Sequence, residues 1–209
     1  MIAPLVISLV VGYLLGALPF GYFVARSHGV NIFEVGSKNP GATNVRRVLG
    51  AKAGNTVFVL DALKGSLAAL WPLAGPWLHL DPHAVGSMQI MGLVGALVGH
   101  SFSCFTGFKG GKGVATAVGA LVVIMPISAL SCAAVWIVVF YASRYVSLAS
   151  VVGAASLPLV TAFAYGRYRL ILATGLALFV IIRHRANIAR LMNGTESRFE
   201  KRKSGAQPS

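Results

Sequence analysis

Long apolar runs separated by short polar stretches make up most of the chain. The runs cover residues 2–24, 54–73, 84–98, 114–141, 147–165 and 170–182. A membrane-spanning helix needs about 20 mostly apolar residues, so this pattern predicts an all-α integral membrane protein in which some spans are short. The first run has no basic stretch before it, which predicts a first membrane helix and not a cleaved signal peptide.

The run over residues 114–141 is too long for one span. As a single helix it would extend about 42 Å, whereas the hydrocarbon core is about 30 Å thick. Pro126 allows either one kinked span or a tight hairpin of two short spans. The hairpin places 15 of the 18 Lys and Arg residues on one side, as the positive-inside rule requires. We therefore expect seven transmembrane helices, with the N-terminus outside and the C-terminus in the cytoplasm.

Composition supports a membrane protein and excludes several other classes. Hydrophobic residues make up 56% of the 209 residues and charged residues 11%, against about 25% charged in soluble domains. The net charge of +13 follows from cytoplasmic loops, so we expect no nucleic-acid partner, but an anionic substrate or lipid fits that face. Cys104 lies in a polar stretch and Cys132 in an apolar run, so both are expected to be reduced.

Charge also predicts the domain organisation. We expect a single transmembrane domain over residues 1–197, followed by a basic, flexible cytoplasmic tail over residues 198–209. Three cytoplasmic motif loops interrupt the domain. We call them loop 1 (near residues 27–52), loop 2 (near 99–113) and loop 3 (near 143–150).

Loops 1 and 2 combine glycines, hydroxyls, amides and cations. Residues 36–47 read Gly-Ser-Lys-Asn-Pro-Gly-Ala-Thr-Asn-Val-Arg-Arg, and residues 108–113 read Phe-Lys-Gly-Gly-Lys-Gly just before an apolar run. Glycines allow backbone N–H groups close to an anion, and Arg binds phosphate through two parallel hydrogen bonds. The spacing does not match a Walker A loop, so ATP hydrolysis gains no support. The alternative is an ordinary cytoplasmic turn rich in glycine and proline for loop 1, and a flexible basic loop at the lipid head groups for loop 2.

Other polar residues have an ordinary structural explanation beside a functional one. Ser147 and Ser150 share a helical face, but serines in membrane helices usually bond back to a carbonyl. Asp61 and Lys64, within a span, form either a functional pair or a structural ion pair. No histidine has Asp five positions later, the usual base of glycerolipid acyltransferases, and no histidine spacing indicates a metal site.

Together these segments resemble the acyl-phosphate-dependent glycerol-3-phosphate acyltransferase family of bacterial membranes, PlsY. The resemblance covers nearly the whole chain. It rests on residues 36–47, Asp-Ala-Leu-Lys-Gly at 61–65, Gly-His-Ser-Phe at 99–102 with residues 108–116, Arg-Tyr-Val-Ser-Leu-Ala-Ser at 144–150, and the segment from His184 to Glu196. One departure is Ser103, where the family usually has Pro, which leaves the rigidity of loop 2 open.

The resemblance implies transfer of a fatty acyl group from acyl phosphate to the 1-hydroxyl of glycerol 3-phosphate in phospholipid biosynthesis. It implies a multi-pass enzyme of the cell inner membrane with a cytoplasmic active site, no cofactor, no metal and no obligate protein partner. The implied binding residues are Ser37, Asn39, Gly41, Thr43, Asn44, Arg47, Lys109, Gly110, Gly111, Lys112, Gly113, Ser147, Ser150, His184, Asn187 and Arg190.

The implied catalytic residues are Lys112 and Arg47, with His100 and Asp61 as candidate bases. Acyl phosphate is already a good acylating agent, so we favour a substrate phosphate, with a second pKa near 6, as the proton acceptor. Lys and Arg would stabilise the developing negative charge. The rival function is a small transporter or channel for a phosphorylated anion, and a structural subunit without chemistry is the third alternative.

Overall fold

The helices account for almost all of the described structure. A computed structural model describes residues 2–78 and 82–199, and residues 200–209 of the predicted tail lie outside the described residues. Three short 3-10 helices (Trp71–Leu78, Pro82–Ala84 and Cys104–Thr106) accompany the α-helices, and the described residues contain no strand. The α-helices are α1 (Ile2–Ala17), α2 (Phe20–Ser27), α3 (Ala42–Leu49), α4 (Ala51–Leu70), α5 (Val85–Ser101), α6 (Val114–Ile124), α7 (Pro126–Ser143), α8 (Val146–Ala164), α9 (Arg167–Arg183) and α10 (Arg185–Met192).

Five helical segments are long and apolar enough to cross a membrane. They are Ile2–Ser27, Ala51–Ala74, Pro82–Thr106, Pro126–Ser143 and Val146–Ala164. Helices α9 and α10, bent by 59° at their junction, make a sixth segment if they are counted as one span. The all-α membrane architecture is therefore confirmed. The number of seven spans and the outside N-terminus stay predictions.

The chain breaks near Pro126, as the length of the run indicates. Helix α6 ends at Ile124, Met125 has a non-helical φ of −142°, and α7 begins with Pro126 itself. Proline favours the first position of a helix because its missing N–H would be unpaired there. The chain also divides into two compact units, Met1–Leu130 and Ser131–Ser209, while the single domain over residues 1–197 stays a prediction.

Small residues allow the helices of the first unit to pack closely. Helix α1 packs against α5, and a methyl group at Gly12 or Gly16 would overlap the backbone of Gly92 or Ala96. Such small residues favour helix association in lipid. No hydrophobic force drives helices together there, so close packing of their backbones has to stabilise the contact. Helix α4 contacts α6 in the same way, with Gly65 against the Thr116 carbonyl.

An apolar cluster lies beside loop 1 in the first unit. Ala25 of α2, Ile32, Val45 of α3 and Val57 of α4 are all fully buried in it. Helix α2 starts after a break at Leu18 and Pro19, and its Gly21 lies against the Pro40 carbonyl. The cluster therefore fixes loop 1 to the ends of two membrane helices.

In the second unit the chain returns to the start of α8. Helix α8 packs on α9, and the Phe199 N–H donates to the Arg144 carbonyl over 2.8 Å. The Phe199 ring lies edge-on to Phe140, and Arg198 Nε donates to the Tyr145 hydroxyl over 3.1 Å. The first two residues of the predicted flexible tail are thus held by hydrogen bonds.

Candidate functional site

Loop 1 is shaped by its own amide side chains. Asn44, 2% exposed, accepts from the Ser37 N–H over 2.8 Å and donates to the Val35 carbonyl over 3.1 Å. The Asn39 side chain accepts from the Gly41 N–H over 2.9 Å. Both amides therefore hold the backbone of the loop, while their predicted contacts with phosphate stay predictions.

Part of loop 1 is helical. Helix α3 begins after Gly41, which has extended backbone angles, and ends at Gly50, whose φ of +92° favours glycine. Thr43 is half-buried in its first turn, and Arg47 is exposed further along. Ser37 is exposed before the helix. The predicted phosphate-binding side chains of this segment are thus presented by a helix and the turn before it.

Loop 2 turns through a short 3-10 helix that Ser103 stabilises. The Ser103 hydroxyl donates to the Ala17 carbonyl over 2.5 Å and accepts from the Phe105 N–H over 3.2 Å. Its φ of −68° matches the value that proline imposes. Ser103 therefore holds this turn through hydrogen bonds, at the position where the resemblance leads us to expect proline.

The glycines of loop 2 pack against His100. The Gly111 N–H donates to the His100 carbonyl over 3.0 Å, and a methyl group at Gly111 would overlap the His100 ring. A methyl group at Gly110 would overlap the His100 carbonyl, and Gly113 has a left-handed φ of +80°. Packing thus requires Gly110 and Gly111, and the backbone angle favours glycine at position 113. The predicted contacts of these glycines with a ligand stay predictions. Lys109 is exposed beside them and Lys112 is half-buried.

Three ionisable side chains form a buried group that we call the charge cluster: Asp61, Lys64 and His100. Lys64 Nζ lies 2.8 Å from Asp61 Oδ1, and His100 Nδ1 lies 3.6 Å from the same oxygen. The side chains are 3%, 3% and 8% exposed, respectively for Asp61, Lys64 and His100. Lys64 also donates to the Leu18 carbonyl over 2.9 Å. The structure therefore brings the two candidate bases together next to a cation.

A small cavity adjoins the charge cluster. All three cluster side chains line it, together with Pro40 of loop 1 and the 109–111 segment of loop 2. Backbone from residues 16–21 closes another wall. The first unit thus places a buried cation, a histidine and both motif loops around one space.

In the second unit, predicted site residues converge on a carboxylate. We call the group Ser147, Asn187, Arg190 and Glu196 the Glu196 network. Ser147 Oγ and Asn187 Nδ2 donate to Glu196 Oε1 over 2.7 and 2.6 Å, and Arg190 Nε donates to Oε2 over 2.7 Å. Burial raises the pKa of Glu196, but these hydrogen bonds and the Arg190 charge outweigh it, so the pKa lies below its ordinary value. Glu196 is therefore a charged anchor.

Ser150 and His184 each bond back to a carbonyl four positions earlier in the chain. Ser150 Oγ donates to the Val146 carbonyl over 2.8 Å and accepts from Trp136 Nε1 over 3.2 Å. His184, 3% exposed, has Nδ1 2.8 Å from the Val180 carbonyl. The Ser150 geometry is the ordinary back-bonded one, and the substrate contacts of both residues stay predictions.

Glu196 and α3 are the features that sequence reasoning missed. The tail motif contains Glu196, to which the sequence analysis assigns no role. One acid among several hydrogen-bond donors and cations indicates an internal counter-charge, and this signal could have identified it. The sequence predicts a loop where α3 lies, because glycines, proline and amides dominate the start of this segment. Among the described residues, no group of three or more His, Cys, Asp or Glu side chains is placed to hold a metal, and both cysteines are free thiols.

Comparison with known proteins gives one consistent result. The family model described as glycerol-3-phosphate acyltransferase matches residues 6–194. A glycerol-3-phosphate acyltransferase of Fusobacterium nucleatum is 42% identical over 194 residues, covering 92% of this chain and 96% of that protein. One from Geobacter sulfurreducens is 41% identical over 195 residues, covering 91% of this chain and 95% of the relative.

A solved structure extends the match to three dimensions. It is the glycerol 3-phosphate form of PlsY (YgiH), described as an integral membrane glycerol 3-phosphate acyltransferase. That structure matches with a TM-score of 0.84 and 40% identity, covering 94% of this chain and 96% of the other. Sequence motifs, helical architecture and relatives along nearly the whole chain agree, and the chain belongs to the glycerol-3-phosphate acyltransferase family.

Proposed function

We propose that the chain transfers a fatty acyl group from acyl phosphate to the 1-hydroxyl of glycerol 3-phosphate. The products are 1-acyl-sn-glycerol 3-phosphate and inorganic phosphate. The observation that carries the proposal is the 40% identity, over 94% of the chain, to a membrane acyltransferase solved in a glycerol 3-phosphate form. A second form of that protein is described as the lysophosphatidic acid form, which is the acylated product.

The charge of the motif loops supports the acyl-phosphate donor that the resemblance implies. Acyl phosphate and glycerol 3-phosphate each carry a phosphate, and the first unit carries two segments rich in glycine and cations. Arg47 and Lys109 are exposed, so they are accessible to anions, and Lys112 lies next to the start of α6. Anions are favoured at a helix N-terminus. We assign these cations to phosphate binding, with Ser37 and Thr43 as further donors.

The reaction needs little covalent help from the protein. The 1-hydroxyl oxygen attacks the acyl carbon, the bond from that carbon to the phosphate oxygen breaks, and inorganic phosphate leaves. The hydroxyl proton passes to a phosphate oxygen of a substrate, whose second pKa is about 6. Arg47 and Lys112 stabilise the negative charge that develops on the acyl oxygen and the leaving phosphate.

We place the enzyme in the cell inner membrane with its site on the cytoplasmic side. Fifteen of the 18 Lys and Arg residues fall on one side of the seven-span topology, which is the cytoplasmic side by the positive-inside rule. The partners are then the two substrates and the lipid bilayer, without nucleic acid or an obligate protein.

The test is an assay of the purified chain in lipid with palmitoyl phosphate or palmitoyl-CoA, with and without glycerol 3-phosphate. We expect phosphate release that depends on the acceptor and matches lysophosphatidic acid formation, with palmitoyl phosphate only. Turnover with palmitoyl-CoA alone would overturn the donor assignment. No turnover by folded protein would favour the transporter, which uptake of glycerol 3-phosphate into vesicles would then test.

A further inference from the structure

The charge cluster connects elements that carry both motif loops. Its first connection is Lys64, whose ammonium group donates to the Leu18 carbonyl over 2.9 Å and lies 5.6 Å from the centre of the Phe20 ring. Leu18 lies where α1 stops and α2 starts. Backbone freed at a proline break within a membrane helix needs a partner from a neighbouring helix, and Lys64 of α4 supplies it.

The break that Lys64 stabilises sets the position of loop 1. Helix α2 begins at Phe20 directly after the break, and its Gly21 lies against the Pro40 carbonyl. No side chain larger than hydrogen fits between them, because a methyl group at Gly21 would overlap that oxygen. A change in the direction of α2 would therefore move Pro40 and the start of α3.

The second connection is His100, which supports loop 2. Its carbonyl accepts the Gly111 N–H over 3.0 Å, and its ring fills the space where a Gly111 side chain would lie. The ring faces Asp61, with Nδ1 3.6 Å from Oδ1. Asp61 in turn holds Lys64 at 2.8 Å, so one carboxylate lies between the supports of the two loops.

We propose that Asp61, Lys64 and His100 are positioning residues that fix loop 1 and loop 2 relative to each other, and that none of them exchanges a proton with substrate. The Asp61 carboxylate is ion-paired with the Lys64 ammonium, with Nζ 2.8 Å from Oδ1, and the side chains of Asp61 and Lys64 are 3% exposed. The inference rests on the proposed acyl transfer, because the loops that it positions are the assigned phosphate-binding segments.

The test is a double-mutant cycle between Gly111→Ala and His100→Ala, read as kcat/KM and as KM for each substrate. The new methyl group of Gly111→Ala displaces loop 2 because it overlaps the His100 ring. Removing the ring creates room for this methyl group. The double variant should therefore be about tenfold more active than Gly111→Ala alone. A coupling of this size is within the range found for residues in contact. Gly86→Ala, on the same helix as His100 but in open space, is the matched control.

His100→Gln separates positioning from proton transfer. Glutamine keeps a planar polar side chain but does not titrate, so we expect KM to rise while the pH profile of kcat keeps the wild-type shape. A double variant that is less active than Gly111→Ala, or a His100→Gln variant whose kcat loses its pH dependence, would overturn the inference. Inactive wild-type protein would instead refute the proposed acyl transfer, so the two failures are distinct.

Discussion

Asp61 and Glu196 are both buried carboxylates, but different partners hold them. Asp61 lies inside a membrane-spanning helix with one ammonium group at 2.8 Å and an imidazole at 3.6 Å. Glu196 lies in a connecting segment and accepts three hydrogen bonds of 2.6 to 2.7 Å. The first is paired mainly through charge, whereas the second is fully hydrogen-bonded. We infer that the stabilisation of the Asp61 carboxylate depends mainly on Lys64, whereas three donors together stabilise the Glu196 carboxylate.

Removing Asp61 should have the largest effect on stability. Asp61→Ala leaves the Lys64 ammonium buried without a counter-charge, which costs about 3–5 kcal/mol of unfolding free energy. Equilibrium unfolding in mixed micelles measures it. The control is Asp61→Ala with Lys64→Met, which removes both charges and should recover most of the loss. Equal stability of Asp61→Ala and wild type would contradict the pairing.

Neutralising Glu196 should have a smaller effect. Glu196→Gln keeps the shape but loses the charge-assisted bond from Arg190, at a cost of about 1.5–3 kcal/mol. Partial proteolysis should also cut more readily after Met192, because the network fixes the segment that follows α10. The matched control is Glu34→Gln, an exposed acid that should change stability little. Equal losses of stability in Glu196→Gln and Glu34→Gln would contradict a stabilising role for the Glu196 network.

Acid should weaken the Glu196 network. The folded-state pKa of Glu196 lies below its unfolded value, so its stabilisation is present above the unfolded pKa and is lost as the pH falls through the folded pKa. Melting temperatures of wild type and Glu196→Gln should therefore differ at neutral pH and converge as the pH falls below about 4.3, the usual glutamate pKa. A difference that does not change with pH would show that folding leaves the pKa of Glu196 unchanged, and would contradict the network.

Substitutions of Ser103 should cause the smallest change in stability. They test whether the hydrogen bonds of Ser103 stabilise the backbone of the first unit. Ser103→Pro fits the observed φ of −68° and stiffens the unfolded chain, but loses the bonds to Ala17 and Phe105. We expect its stability within about 1 kcal/mol of wild type. Ser103→Ala loses the same bonds without the gain in stiffness, so it should be the less stable variant in thermal melts. The reverse order would contradict a backbone role for Ser103.

The sequence predicts those features of the molecule that depend on how residues partition between water and lipid and on local backbone preference. Apolar runs predicted the membrane helices, and Pro126 predicted the break before α7. The cost of ionisable groups in lipid marked Asp61 and Lys64 as a pair. These features depend on local composition, which can be read along the chain.

Contacts between distant segments could not be read in this way. Lys64 meets the Leu18 carbonyl 46 positions earlier, and Ser147 meets Glu196 49 positions later. Asn44 is predicted to bind phosphate, and the structure adds that its buried amide closes loop 1 through hydrogen bonds at both ends. Residue types therefore indicate an anion-binding site. Only the fold shows which of these residues hold the backbone, as Asn44 does, and which are exposed, as Arg47 is.

The central claim is that Asp61 supports the proposed phosphate-binding segments and that a substrate phosphate takes the proton. The pH dependence of kcat for folded Asp61→Asn, measured with saturating substrates beside wild type, tests this most directly. We predict a lower kcat/KM but the same fall in kcat below about pH 6, where a substrate phosphate gains its proton. A kcat reduced by about 10²–10⁴, with that acidic limb gone, is the loss expected for a general base and would contradict the claim.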